Sequence, residues 1–142
     1  MHGLVVLDKD DKVIRPCILW NDGRTQKQVD YLNNEIGKDK LSRYTGQHRV
    51  CRLHRAQAAL AARQRAGELR PHREDHAAKG LYQLQADRCH CTDYSDASGM
   101  LLLDVEHKCW SREMLNLCGV REAQLPKLFE SWQPVGTLTA EA

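Results

Sequence analysis

The residues with the clearest capacity for chemistry are Asp93, Tyr94 and Asp96, within the stretch "HCTDYSDASG". Two carboxylates three positions apart could act as a general acid and a general base. Aspartates in a strand-and-turn sequence also accept backbone N–H bonds and so cap turns. We favour the second role and predict that Asp93 and Asp96 cap a turn and satisfy buried backbone groups.

A second candidate set consists of histidines and cysteines near the middle of the chain. His48, Cys51 and His54 have the spacing H-x2-C-x2-H, and Cys89–Cys91 adds a Cys-His-Cys run. These side chains suit zinc, but adjacent ligands strain a tetrahedral site, and the spacing is not that of a known zinc finger. A zinc-binding module therefore stays open as an alternative, and we predict no metal ligand.

Charge is distributed unevenly along the 142 residues, although the net charge is only +2. Residues 47–91 hold nine Lys and Arg against four Asp and Glu, together with five of the seven histidines. Such a basic stretch suggests a nucleic-acid-binding module, but it lacks interleaved aromatics and any recognised motif. We therefore expect neither a nucleic-acid nor a membrane partner, and no apolar run approaches the roughly 20 residues that span a bilayer.

The number and spacing of the cysteines indicate the redox state of the cellular compartment. There are six of them at irregular spacing, and no secretory signal precedes them. A disulfide framework is therefore not expected, and this usage favours a reducing cytoplasm. We predict a cytoplasmic protein of unknown oligomeric state.

The first third of the chain predicts strands followed by helices. Gly3 to Ile14 is typical of a hairpin, and a second extended run begins at Pro16. A helix with one apolar face is expected after the N-cap Thr25, and a short helix after that. Glycines end both helices. The apolar face is formed by Val29, Leu32 and Ile36. The helices end at Gly37 and Gly46, and the short helix covers Asp39 to Tyr44.

The last third repeats this mixture. We predict a strand over Leu101 to Val105 and then a helix that Ser111 caps and Gly119 ends. The apolar face of this helix is formed by Met114, Leu115 and Cys118. A further short helix begins near Arg121, and Val135 to Thr137 is interpreted as the start of a strand. Strands mixed with helices at short spacing indicate an α/β or α+β domain.

The window 47–89 differs from both flanks in composition. It is rich in Arg, His, Ala, Gln and Leu and nearly free of β-branched residues. Leu53 to Leu69 could form an Ala-rich basic helix, but one that is polar on every side has little reason to pack. We interpret the window as a translation in the wrong reading frame, bounded by two compensating shifts.

Codon degeneracy permits a test of that interpretation. One permitted coding of Gln85 to Cys89, read one nucleotide later, gives "KLTGV", which leads directly into "HCTDYSDASG". The same shift applied to Ala77 to Gln85 permits "LPKDYINYK", a sensible amphipathic segment. Two adjoining matches that form one continuous segment favour the frame interpretation over a basic binding module.

Four blocks of the chain carry a resemblance to a known family: "MHG", "RPCILWNDGRT", "HCTDYSDASGMLLLDV" and "LPKLFESWQPVGTL". They resemble the FGGY family of carbohydrate kinases and, within it, the bacterial xylulokinases. His2 and Gly3 followed by "LVVLD" point to that group rather than to glycerol kinase, in which an Arg-Glu pair stands instead. The resemblance implies an α/β domain, part of a ribonuclease-H-like (actin-like ATPase) architecture. It makes residues 1–46 and 90–142 family-like and 47–89 aberrant.

The resemblance also implies a function and site residues. It implies ATP-dependent phosphorylation of D-xylulose to D-xylulose 5-phosphate, with ATP and Mg²⁺ serving the full-length protein. Met1 and His2 match residues that contact the sugar, and Tyr94 matches one that lines the sugar pocket. Asp22 and Arg24 are either a polar anchor beside that pocket, with Trp20 as its apolar wall, or an ordinary turn.

The chemistry of phosphoryl transfer is expected elsewhere. It needs a phosphate cradle, Mg²⁺ coordination and a base for the substrate hydroxyl. In the family the glycine-rich phosphate loop precedes the part that begins at Met1, and the catalytic Asp follows the part that ends at Ala142. We therefore predict no catalytic, cofactor-binding or metal-binding residue in this chain, which we expect to be an inactive and poorly folded fragment.

Overall fold

The computed structural model describes residues 4–17, 26–47 and 72–141. The strands are β1 (Leu4–Asp8), β2 (His72–Ala77), β3 (Cys91–Asp93), β4 (Leu103–Asp104), β5 (Cys109–Trp110) and β6 (Lys127–Phe129). The helices are α1 (Gln26–Asp30), α2 (Lys38–Thr45), α3 (Ala78–Asp87), α4 (Tyr94–Ser98) and α5 (Arg112–Cys118). A π-helical segment (Tyr31–Gly37) joins α1 to α2, and Glu122–Gln124 forms a 3-10 turn. No helix in these ranges is long and apolar enough to cross a bilayer.

Within the described ranges the strands pair two by two. β1 and β2 are antiparallel, with Leu4 opposite Ala77. β3 and β6 are parallel, so their carboxyl ends lie at the same edge. β4 and β5 form a tight antiparallel hairpin. The mixture of helices with parallel and antiparallel strands is that of a partial α/β domain, as the sequence predicts.

The predicted hairpin near the start of the chain is confirmed. The Ile14 N–H donates to the Val6 carbonyl at 3.0 Å. The Asp8 carboxylate accepts the N–H groups of Asp10 and Lys12 at 2.8 and 3.0 Å, which closes the turn. On its other edge β1 pairs with β2, a strand inside 47–89 that the sequence did not lead us to expect.

The predicted helix stops are also confirmed. Gly37 has a φ of +87° and separates the π-helical segment from α2, and Gly46 ends α2 with a φ of +65°. Glycine adopts this left-handed region without the Cβ clash that other residues meet. Leu32 and Leu41 on the two helices are fully buried, while Ile36 is half-buried.

Helix α5 forms where the sequence places it. The Ser111 side chain accepts the Met114 N–H at 3.4 Å, and Gly119 ends the helix with a φ of +65°. The buried residues on α5 are the three that were predicted, Met114, Leu115 and Cys118. The short helix expected near Arg121 is the 3-10 turn at Glu122–Gln124.

Two strand predictions need correction. The strand expected over Leu101 to Val105 shortens to Leu103–Asp104, because Leu101 has a φ of +59° and cannot continue an extended chain. Val135 to Thr137 is not a strand. Just beyond it, the Thr139 N–H donates to the Ala86 carbonyl at 2.8 Å. This segment therefore caps the carboxyl end of α3, whose last carbonyls lack helical partners.

Two apolar clusters hold these elements together. The large core joins the α1–α2 region to residues 97–125, whereas the small cluster joins β1 to α3. The large core consists of Leu32, Leu41, Ala97, Met100, Leu101, Leu102, Leu103, Trp110, Met114, Leu115, Cys118 and Leu125. The small cluster contains Val5, Leu7 and Leu84, with Cys17 and Leu81 packed against it.

Candidate functional site

Asp93 lies at the carboxyl end of β3 and begins α4. Its Oδ1 accepts the Asp96 N–H at 2.8 Å, which makes it the N-cap of the helix. An N-cap side chain satisfies one of the N–H groups that a helix start leaves without a partner. The predicted capping role of Asp93 is therefore confirmed.

Three side chains meet beside this cap, where β3 and β6 both end. Tyr94 follows β3, Glu130 follows β6, and Lys108 reaches both from the tip of the β4–β5 hairpin. The Lys108 Nζ lies 2.6 Å from Glu130 Oε1 and 5.4 Å from the centroid of the Tyr94 ring. We call Asp93, Tyr94, Lys108 and Glu130 the strand-end cluster. Ligands of open α/β sheets bind at the carboxyl ends of the strands, and this cluster occupies such an edge.

The electrostatics of the cluster follow from the ion pair. The hydrogen bond to Glu130 raises the pKa of Lys108 above its ordinary value of 10.5, so the ammonium stays charged at neutral pH. The pair is partly exposed, with 60% of the Lys108 and 34% of the Glu130 side-chain surface accessible. Water screens such a pair, so its main effect is to orient groups rather than to stabilise the fold.

The cluster can bind polar ligands but offers no means of transferring a group. A phenol, a carboxylate and an ammonium can pair with the hydroxyls of a polyol. Lys108 and Glu130 already neutralise each other, and the carboxylate of Asp93 is engaged in the helix cap. The arrangement therefore offers polar groups of the kind that pair with hydroxyls.

Several residues that the sequence analysis singled out lie outside the described residues. These are Met1, His2, Trp20, Asp22, Arg24, His48, Cys51, His54 and the possible helix over Leu53 to Leu69. Their roles stay predictions.

The Cys-His-Cys run can be followed in the structure. Cys91 is buried, and its Sγ accepts the Gln83 Nε2 group at 2.9 Å. His90 Nε2 lies 3.3 Å from Asp11 Oδ1, in the turn after β1. The Cys89 N–H donates to Asp87 Oδ1 at 2.8 Å. The side chains of His90 and Cys91 thus face different surroundings, as neighbouring side chains in extended backbone do.

The residues that the structure describes do not form a metal site. Over 4–17, 26–47 and 72–141, no three His, Cys, Asp or Glu side chains come close enough to hold a metal ion. Mg²⁺ with a nucleotide needs carboxylate oxygens directed at one point. This part of the chain offers no such set, and no step of a reaction is assigned to it.

Lys108 and Glu130 were missed by the sequence analysis. They are 22 positions apart and meet only because the β4–β5 hairpin folds over the end of β6. No periodicity or motif links them.

The fold places the chain among sugar kinases. It superposes on the crystal structure of a xyloylose kinase from Brucella ovis with a TM-score of 0.88 and 32% identity, covering 99% of this chain and 29% of that one. The shared architecture is the ribonuclease-H-like, actin-like ATPase fold, of which this chain forms a part.

Sequence similarity then identifies the family. The profile of the FGGY family of carbohydrate kinases, N-terminal domain, matches residues 1–52 and 81–142. The chain belongs to the FGGY family of carbohydrate kinases.

Curated relatives in the family differ in the sugar or polyol that they are named for. The xylulose kinase of Klebsiella pneumoniae is 31% identical over 141 residues, which is 99% of this chain and 29% of that protein. The glycerol kinase of Borreliella afzelii is 36% identical over 132 residues, covering 84% of this chain and 25% of that protein. The chain thus spans less than a third of the length of these relatives.

Proposed function

We propose that this chain forms part of the sugar-binding side of a xylulokinase-like cleft. The complete enzyme would transfer a phosphoryl group from ATP, with Mg²⁺, to D-xylulose and would act in xylose catabolism in the cytoplasm. The observation that carries the proposal is the match to a xylulose kinase over 99% of the chain, against 84% for a glycerol kinase. The strand-end cluster supports it, because its polar groups suit a polyol.

In this proposal two parts of the chain contact the sugar. Met1 and His2 precede β1 in the sequence, and the His2 imidazole would pair with a sugar hydroxyl. Tyr94 lines the pocket at the end of β3. A site built to pair hydroxyl groups discriminates strongly against analogues that lack them, because its polar groups are then left unpaired.

The chain by itself would carry no kinase activity. It spans 29% of the length of the xylulose kinase relative, and its described residues form no metal site. The aberrant window adds to this, because burying unpaired Arg or His side chains costs several kcal/mol each, against a total domain stability of about 5–15 kcal/mol. The family profile leaves residues 53–80 unmatched, which lies within the window and supports the frame interpretation.

Two assays test the proposal. The purified chain is mixed with ATP, Mg²⁺ and D-xylulose, and we expect no ADP release above background. Binding of D-xylulose is then measured by calorimetry, with glycerol as the competitor, and we expect D-xylulose to bind more tightly. A His2→Ala variant should bind D-xylulose more weakly. Turnover by the isolated chain would refute the inactive fragment, and equal binding of both polyols would refute the sugar assignment.

The frame interpretation has its own test. Resequencing the coding DNA should reveal two compensating shifts around codons 47–89, with kinase sequence continuing on both sides. A gene that reads straight through without neighbouring kinase sequence would favour the basic or zinc-binding module instead. A chain with the frame restored should bind D-xylulose at least as tightly and unfold at a higher urea concentration.

A further inference from the structure

We propose that two copies of this chain associate across a two-fold axis at β6, with Trp132 of each copy held in a groove of the other. The groove lies beside β6, and we call it the β6 groove. Neither Trp132 nor the groove belongs to the residues assigned to the sugar, so the dimer does not depend on the proposed function. Three observations support it: an exposed tryptophan on a fixed turn, an apolar groove near that turn, and an open strand edge between them.

The exposed tryptophan is the first observation. Trp132 has 79% of its surface accessible, more than any other large apolar residue that the structure describes. Apolar surface in contact with water is unfavourable, and an aromatic side chain buries about 150–250 Å² when it is covered. Tryptophan is also among the residues that most often contribute the largest share of the binding energy in protein interfaces. Trp132 is therefore suited to anchor a partner.

A hydrogen-bonded turn presents Trp132 to the solvent. The Gln133 N–H donates to the Glu130 carbonyl at 3.0 Å, and the Glu130 N–H donates to Gln133 Oε1 at 2.9 Å. The Glu130 side chain is held in addition by Lys108, at 2.6 Å. The backbone on both sides of Trp132 is thus fixed, which reduces the conformational entropy that this anchor loses on association.

The β6 groove offers a place for an aromatic side chain. Its volume is about 410 Å³. Cavities of roughly 300–1,000 Å³ hold drug-sized ligands, which are larger than an indole ring. The apolar walls come from β5, from β6 and from the two residues before β6: Trp110, Leu125, Pro126, Leu128 and Phe129. A concave and mostly apolar surface of this kind is typical of a binding site.

The outer edge of β6 can align the two copies. Among the described residues β6 pairs only with β3, and the Lys127 N–H donates to the His90 carbonyl at 3.1 Å. The backbone groups of successive residues in a strand alternate between its two edges, so Leu128 directs its N–H and C=O away from β3. Leu128 of one copy and Leu128 of the other can therefore exchange two hydrogen bonds as an antiparallel pair.

This register brings the tryptophan to the groove. With Leu128 opposite its own counterpart, the turn that follows β6 in the second copy passes Pro126 and continues toward Leu125 and Glu122. All of these residues line the β6 groove. One two-fold axis thus pairs the strand edges and brings each Trp132 to the groove of the other copy, so the contact is isologous and closes as a dimer.

The open edge is limited to a single residue pair. Pro126 has no N–H, and the Glu130 N–H is already bonded to Gln133 Oε1. A longer unpaired edge would be a template for open-ended association. We therefore expect a dimer and no larger assembly.

The charges at this surface do not oppose the contact. Glu122 and Lys127 line the groove, and the ion pair of Lys108 with Glu130 lies at the turn. Two positive and two negative side chains leave no net charge. Two copies can therefore meet without the repulsion that like charges produce.

Sedimentation velocity of the full 142-residue chain tests the oligomeric state, and circular dichroism shows that the chain is folded. We expect monomers and dimers whose proportions depend on chain concentration. Trp132→Ala should raise the dissociation constant by at least about thirtyfold, because a hot-spot residue contributes about that factor and the two-fold interface contains it twice. Trp132→Phe should retain part of the affinity.

Leu138→Ala is the matched control for Trp132→Ala. Leu138 is also exposed, at 74%, but it lies next to Thr139, whose N–H is bonded to the end of α3. This variant should leave the dissociation constant unchanged. Lys127→Glu makes the surface negative and should weaken the dimer, with a smaller loss at high salt, which screens the repulsion.

Fluorescence follows the burial of Trp132 directly. The emission of Trp132 is obtained as the difference between the wild-type chain and Trp132→Phe. It should shift to shorter wavelength as the chain concentration rises, because the indole ring leaves water for an apolar groove. An emission that stays unshifted while dimers form would contradict the assigned contact.

The remaining outcomes are equally decisive. A wild-type chain that stays monomeric at every concentration, or that shows no helical signal, would overturn the dimer. Association that Trp132→Ala leaves unchanged would place the contact on another surface, and an equal loss in Leu138→Ala would reduce it to non-specific apolar association. Species larger than a dimer would contradict the two-fold contact. Binding of D-xylulose is a separate result, on which only the proposed function depends.

Discussion

The large core and the small cluster draw their residues from different parts of the chain. Among the described residues, the large core buries twelve, all from 1–46 and 90–142. The small cluster buries three, one of which, Leu84, comes from residues 47–89, the window that we interpret as frame-shifted. In the large core, caps, glycine stops and apolar spacing all agree with the packing, as expected of a sequence selected for its fold.

In the described part of the window, Leu81 and Leu84 pack in the small cluster, while β2 joins the fold through its backbone. β2 has the sequence "HREDHA", with no alternation of apolar and polar residues, yet it pairs with β1 in antiparallel register. Every non-proline residue carries the N–H and C=O groups that such pairing requires. Backbone pairing of this strand thus does not depend on an apolar alternation, whereas a packed core requires particular side chains at particular positions.

The largest effect is expected from removing a leucine from each cluster. Leu103→Ala should lower the free energy of unfolding by about 3–4 kcal/mol, because Leu103 is fully enclosed and a cavity would remain. Leu84→Ala should cost about 2 kcal/mol, because the few residues around it can collapse into the space. Urea denaturation, followed by circular dichroism, measures both changes.

The exposed Leu138→Ala is the control for this pair and should change stability by less than about 0.5 kcal/mol. An equal or larger loss in Leu84→Ala would break the comparison. It would mean that the window packs as specifically as the flanks do.

A smaller effect is expected at two aspartates that accept backbone N–H groups, Asp93 in residues 90–142 and Asp87 in residues 47–89. Asp93→Ala should cost about 1 kcal/mol, the usual value of a helix N-cap. Asp93→Ser should recover most of that loss, since serine also caps. Asp87→Ala should cost less, because Asp87 caps no helix start and accepts only the Cys89 N–H and a long 3.4 Å bond from the Gln83 side chain among the bonds described for it. Thermal unfolding of the three variants tests this order. Failure of serine to rescue Asp93 would contradict the capping role.

The smallest effect concerns pH and contrasts the turn at His107, beside the large core, with the turn at Asp8, beside the small cluster. The hydrogen bond that the His107 ring donates to the Asp104 carboxylate raises the pKa of His107 above its ordinary value of 6.5. The stabilisation from His107 is therefore full below that pH and is lost as the pH rises through the raised pKa. Backbone N–H bonds from Lys12 and Asp10 lower the pKa of Asp8 below 3.8. Its stabilisation is present above that pH and is lost as the pH falls through the lowered pKa.

Asp104 is the hydrogen-bond partner of His107 in the hairpin. Burial raises the pKa of Asp104, but the hydrogen bonds from the His107 backbone and side chain outweigh burial and lower it overall. Urea denaturation between about pH 5.5 and pH 8.5 should show His107→Gln losing its deficit relative to wild type as the pH rises. Asp8→Asn should be equally destabilised throughout that range. A constant difference for His107→Gln would refute the assigned ion pair.

The sequence by itself determined the local features of the flanks. The α5 helix, with its Ser111 cap and Gly119 stop, and the glycine breaks at positions 37 and 46 could all be predicted. They depend on interactions within a few residues, and the residue types that suit them are few. The capping role of Asp93 could be predicted for the same reason.

Only the tertiary structure decided which distant residues meet. The pairing of β1 with β2, the approach of Lys108 to Glu130 and Tyr94, and the bond from Thr139 to the end of α3 join segments far apart in the chain. Such contacts depend on how whole elements pack and on which backbone groups remain without partners. The spacing of residues along the chain does not specify either, so the strand-end cluster could be identified only from the folded structure.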